Sequence, residues 1–183
     1  MRSRFRPLSE GEVALVVRLF GDAIDVRRVR VYRRRYMPFQ PRNCAMTPNG
    51  SLYFHASCFL DDYACGDPRM AHWFMHEMVH VWQHQLGYPV RLRGAVRIGL
   101  SYSYTLHESA NLADYNMEAQ GEVLADYFVL KHLQRPDAMH QRRYRDSLAL
   151  FEHVLGRFLV DPRDRQCLPR GPARWLAGFL QPA

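Results

Sequence analysis

The stretch MHEMVHVWQH contains His76-Glu77-Met78-Val79-His80, an H-E-x-x-H pattern. Two histidines four residues apart on a helix project from one face and can share a zinc ion, with the intervening glutamate beside the metal's open position. Zinc makes a water acidic near neutral pH and polarises a carbonyl, and Glu77 is placed to take the proton and return it to a leaving amine. A catalytic zinc takes three protein ligands, so one more is needed. The metzincin continuation H-x-x-G-x-x-H is excluded, because Gln83 and Leu86 stand where its Gly and last His would be. His84 lies a further turn up the axis, out of reach of the same ion. An aspzincin G-T-x-x-D motif is absent.

What remains is DYNMEAQGEVLADYF, where Glu118, Glu122 and Asp126 succeed one another at i, i+4 on one helical face. A gluzincin supplies its third ligand from such a helix, with an acid four residues later that fixes the tautomer of a ligating histidine. Two registers fit: Glu118 as ligand with Glu122 behind it, or Glu122 as ligand with Asp126 behind it. A donor for the developing oxyanion is also required, and Tyr102, Tyr104, His107 and Tyr115 are the candidates.

These side chains need elements to hold them. Ser9 with Glu12 makes a capping box, and Val13, Val16, Val17 and Phe20 recur at helical spacing, so a first helix is expected over Glu10 to Phe20. Alternation from Val29 to Tyr36 and the β-forming run Ser51 to Ala56, behind the turn Pro48-Asn49-Gly50, predict two strands. The H-E-x-x-H helix should run from Met70 to Leu86, before Gly87-Tyr88-Pro89. A glutamate helix follows from about Tyr115 to Gln134, and a third long helix from about His140 to Phe158 carries Leu148, Phe151, Val154, Leu155 and Phe158 on one face. The expected architecture is α+β and zincin-like: a small twisted sheet packed on the His76 helix, with the glutamate helix crossing behind. One domain over 1–183 is expected, with a core of about 8–160 and a proline-bearing tail over 161–183. The Ser51 to Ala56 strand offers a sheet edge on which an extended polypeptide substrate could lie.

Composition narrows the class further. Hydrophobic residues at 48% and charged residues at 23% exclude a disordered or fibrous chain. The net charge of +7 gathers at Arg27 to Arg35 and Arg135 to Arg145, but no aromatic-basic module accompanies it, so a solvated surface and no nucleic-acid partner are expected. No apolar run approaches the ~20 residues of a membrane span. The N-terminus lacks the apolar stretch and cleavage site of a Sec signal, which places the chain in the cytoplasm when made. Cys44, Cys58, Cys65 and Cys167 form neither a C-x-x-C pair nor a disulfide framework.

Four stretches, GDAIDVRRVRVYRRRYMPFQPRN, MTPNGSLYFH, FMHEMVHVWQHQLG and YNMEAQGEVLADYFVLKH, together resemble a family of bacterial zincin-like proteins described as Vgr-related or Rhs-associated. That family is similar to the metallopeptidase domain appended to some type VI secretion VgrG spike proteins. The resemblance covers roughly residues 8 to 133. It implies one zinc ion, Glu118 as the third ligand and Glu122 behind it, since the family pattern in the second helix is approximately E-Q-Q-A-E. It also implies an effector or toxin, secreted by a type VI system into a target cell's periplasm, with a VgrG or Rhs component or an immunity protein as partner. The chain departs from the pattern at Ala119 and Gly121, where Gln and Ala are usual, and in a shorter segment before Tyr115. The alternative is a catalytically silent zincin-fold adaptor or cargo protein that keeps the metal for structure alone. Retention of Glu77 argues against it, because a structural site needs no base.

Overall fold

Helix α1 (Glu10–Phe20) begins where its capping box predicts: Ser9 Oγ accepts from the Glu12 amide, and the Glu12 carboxylate accepts from the Ser9 amide. The computed structural model describes residues 5–96 and 99–170, a mixed α+β chain rich in helix. Glu12 is fully buried, and Arg6 reaches it with two 2.7 Å hydrogen bonds. Arg6 belongs to strand β1 (Phe5–Arg6), which pairs antiparallel with β2 (Val31–Tyr32); β2 in turn pairs parallel with β3 (Leu52–Tyr53).

The sheet is much smaller than the alternation predicted. Only Val31–Tyr32 of the expected Val29 to Tyr36 strand enters a ladder, because the chain turns away at Arg33 toward Pro38 and Pro41. Of Ser51 to Ala56, only Leu52–Tyr53 does so. Nor is the outer side of β3 open, since Met46 exchanges both backbone hydrogen bonds with Tyr53, at 3.2 and 2.9 Å. The segment Ala45–Thr47 therefore lies outside β3.

Helix α2 (Pro68–Gln85) starts two residues before its expected boundary. Asp67 caps it by accepting from the Arg69 amide, and Pro68 occupies the first turn, where its missing N–H costs nothing. Helix α3 (Val90–Val96) follows directly on Pro89, which opens a helix here instead of merely ending the previous one. Asn116 caps α4 (Met117–Lys131) by accepting from the amides of Glu118 and Ala119. The expected third helix is broken: a 3-10 turn at Arg142–Tyr144 precedes α5 (Leu148–Val154), and Leu155 hinges into α6 (Gly156–Val160).

The core forms where α2 and α4 cross, each buried on nearly every side. Trp82 and Phe158 meet edge-to-face with ring centres 5.4 Å apart, and Phe20 closes the group 5.8 Å from Phe158. Fully burying side chains of this size contributes about 1.5–3 kcal/mol each, enough to hold polar groups rigidly between the helices. The first part of the tail seals this core: Pro162 O accepts from Trp82 Nε1 at 2.7 Å, and Cys167 O accepts from Gln120 Nε2 at 2.9 Å. The rest of the expected tail, 171–183, lies outside the described residues.

Candidate metal centre

Where α2 meets α4, the residues of the H-E-x-x-H motif face the first turn of the glutamate helix. His76 Nε2, His80 Nε2 and Glu118 Oε2 converge, with separations of 3.1 Å between the two nitrogens and 3.3 and 3.1 Å from each to the oxygen. All three residues are buried. Zinc bound at about 2.1 Å by such atoms has tetrahedral edges of about 3.4 Å, close to all three separations. The donor set therefore fits a metal ion without rearrangement.

The close approach depends on Gly121. A Cβ at this position would meet the His76 ring at 2.6 to 2.9 Å, inside van der Waals contact, so α4 lies flat against the imidazole only because the residue has no side chain. His76 Nδ1 lies 3.1 Å from Glu122 Oε1 on the opposite side of the ring from Nε2, a close ion pair whose angle falls short of a hydrogen bond. Glu118 thus faces both Nε2 atoms while Glu122 stands behind one ring.

The second ring is oriented by a chain of amides. His80 Nδ1 is 2.9 Å from Gln83 Oε1, and Gln83 Nε2 donates to Gln120 Oε1 at 2.9 Å and to Met117 O at 3.2 Å. Gln120 Nε2 donates in turn to the carbonyls of Leu112 and Cys167. With both amide nitrogens committed to acceptors, Gln83 presents an oxygen to His80, so Nδ1 carries the proton and Nε2 keeps its lone pair. Glu77 is also buried, and its Oε2 accepts from Thr47 Oγ1 at 2.6 Å. Thr47 follows Met46 in the segment beside β3.

Electrostatics favour a cation at this point. Burial opposes charge on His76, but Glu118 and Glu122 outweigh it and hold the ring up to about 10. His80 is raised against burial by Glu118, and Glu118 is held well below the usual carboxylate range, against burial, by His80 and His76. Protons fill the places that a metal would take.

No family model matches the chain. It superimposes on the solved effector domain of Pseudomonas aeruginosa VgrG2b with a TM-score of 0.66 and 35% identity, covering 84% of this chain and 82% of that one. The chain belongs to the VgrG2b effector-domain family. The type VI secretion system spike protein VgrG2b of Pseudomonas aeruginosa is 40% identical over 134 residues, 69% of this chain. The chain spans 13% of that curated relative's length.

Within this VgrG2b-type domain the four candidate oxyanion donors are not brought together. Tyr102 alone stacks beside the centre, its ring 5.8 Å from that of His76. Tyr104 is buried, with its hydroxyl donating at 2.5 Å to Asp126, and burial with that charge raises its pKa far above normal. Tyr115 donates to Thr105 O at 2.8 Å and is pushed up to about 12, chiefly by burial. His107 is exposed, its Nδ1 2.8 Å from Ser109 Oγ. Sequence reasoning missed Thr47, Gln83, Gln120 and His72. His72 precedes His76 by one turn, so its position on the same helical face was readable; Thr47, 30 residues from Glu77, left no local signal.

Proposed function

We propose that this chain is a gluzincin-type zinc metallopeptidase, a single zincin-like domain acting as a type VI secretion effector. The observation that carries the reading is the convergence of His76 Nε2, His80 Nε2 and Glu118 Oε2 at tetrahedral edge lengths, with the buried Glu77 carboxylate on the same helix. These three residues would hold the ion, with Glu122 fixing His76 and Gln83 fixing His80. When bound, zinc supplies a Lewis acid for a carbonyl and for the acidity of a water.

The chain's own residues do the rest. Thr47 anchors one oxygen of Glu77, so Oε1 is the atom that takes a proton from the attacking water and passes it to the leaving amine. Tyr102, beside His76, is the oxyanion donor favoured by position. The polypeptide would lie along Ala45–Thr47, whose outward backbone groups alternate with those bonded to Tyr53. The likeness to a type VI secretion spike protein and to its effector domain supports delivery on a VgrG-type spike; a target-cell periplasm as destination and an immunity protein as guard complete the proposal.

The test is zinc content by elemental analysis for wild type, His80→Ala, Glu118→Ala and Glu122→Ala, beside a peptide-library cleavage assay with Glu77→Ala as control. One tightly held zinc in wild type, its loss in Glu118→Ala and abolished cleavage in Glu77→Ala are expected. Zinc kept by Glu118→Ala but lost by Glu122→Ala would reverse the register. Zinc without any cleavage would support the silent adaptor instead.

A further inference from the structure

One turn from the centre, along the same faces of α2 and α4, lies a second group of ligand-type side chains that hydrolysis leaves unused. His72 precedes His76 by four residues and Asp126 follows Glu122 by four. A ring nitrogen of His72 and one carboxylate oxygen each of Glu122 and Asp126 lie within 4.8 Å of one another. The deciding atom is Glu122 Oε2. It is buried and has no hydrogen-bond partner, an unusual state for a carboxylate oxygen. It faces His72 Nε2 at 3.7 Å and His140 Nδ1 at 3.7 Å. Those separations are too long for hydrogen bonds. They match the span across a bound cation, because atoms about 2.1 Å from an ion and about 120° apart lie about 3.6 Å from each other.

Asp126 sets how an ion would enter. Its carboxylate already accepts from Tyr104 Oη, from the amides of His140 and Gln141, and from the His72 ring at 2.8 Å. A cation therefore replaces the proton on His72 Nε2, which leaves to solvent, and takes its place between His72, Asp126 and the unpartnered Glu122 oxygen. The side chain of His140 is half-exposed and gives this position an opening to solvent.

We propose that His72, Glu122 and Asp126, with His140 at the mouth, form a second divalent-cation site suited to zinc or another imidazole-binding metal. Its link to hydrolysis rests on the reading of the first centre, through a single carboxylate. Glu122 Oε1 faces His76 Nδ1 while Oε2 faces the new site. The open mouth makes this the weaker and faster-exchanging of the two sites.

Equilibrium dialysis of the purified protein against rising Zn²⁺, with elemental analysis, tests it without a substrate. Wild type is expected to reach two equivalents, His80→Ala to keep only the weaker one, and His72→Gln, which retains an N–H for Asp126, to keep only the tighter one. His140→Ala, at an exposed ring, should weaken the second equivalent at least ~10-fold and leave the first unchanged. A single equivalent in wild type, or two equivalents undisturbed in both His72→Gln and His140→Ala, overturns the proposal. If His80→Ala binds as much zinc as wild type, the first-centre reading fails while the second site still stands or falls by its own variants.

Discussion

Substituting Gly121 by Ala should damage metal binding far more than folding. The added Cβ would stand 2.6 Å from His76 Cε1, 2.8 Å from Nδ1 and 2.9 Å from Nε2. Carbon contacts settle at 3.5–4.0 Å, so the ring or helix α4 must retreat by about 1 Å. Metal–ligand distances tolerate roughly 0.2 Å, and either retreat opens the His76–Glu118 edge beyond that. In the metal-free protein the overpacking costs about 1–3 kcal/mol, offset by about 1 kcal/mol of helix propensity gained when Gly becomes Ala. The melting temperature without metal should therefore fall by no more than about 8 °C, at about 2–4 °C per kcal/mol for a chain of this size. Zinc affinity should fall about 100-fold, worth about 2.7 kcal/mol. The zinc-dependent rise in melting temperature would then shrink by about 5–11 °C at equal free zinc. Differential scanning calorimetry with and without zinc measures both quantities. An undiminished zinc-dependent rise in Gly121→Ala would mean that the helices separate freely and that the contact with His76 does not set the geometry.

Three further outcomes follow from the same contacts. Glu118→Gln should abolish zinc retention at the first centre through gel filtration, whereas Glu122→Gln, whose carboxylate meets His76 at Nδ1 and not at Nε2, should weaken that centre about 10- to 100-fold. Thr47→Val should leave zinc content unchanged and lower kcat about 10- to 100-fold, the effect of losing a hydrogen bond to a charged group, with Thr47→Ser restoring it; equal kcat in all three proteins refutes the anchoring role. Glu12→Gln breaks the buried pair with Arg6 and should cost about 3 kcal/mol in urea denaturation, releasing β1 from α1; a change under about 1 kcal/mol would show the pair to be incidental.

What the sequence revealed follows from how local each signal is. The capping box at Ser9 and Glu12, the body of the H-E-x-x-H helix and the i, i+4 acidic stripe all lie within a turn or two of chain, and the structure forms each of them. The strands were overread because alternation reports only which face is wet. Whether Val29 to Tyr36 pairs along its length depends on neighbours, and β1 supplies just two residues. The broken third helix has a similar cause: Phe151, Val154, Leu155 and Phe158 do share one buried face, but α5 and α6 meet at Leu155 instead of running through it.

The two glutamate registers show where such reading stops. An i, i+4 stripe is invariant under a shift of one turn, so Glu118–Glu122 and Glu122–Asp126 are equivalent until the partner helix is placed. The crossing breaks the symmetry. Gly121 presses α4 onto the His76 ring, with Glu118 on the Nε2 side and Glu122 on the Nδ1 side. Asp126 lies one turn further, beside His72, where Tyr104 and the amides of His140 and Gln141 already satisfy its carboxylate. Glu118 is the acid that faces two Nε2 atoms, whereas Asp126 bonds His72 a turn away and belongs with the second group of side chains. In this chain the two acids differ in which nitrogen of His76 they face, Nε2 for Glu118 and Nδ1 for Glu122, and Gly121 permits the close approach that makes the difference legible.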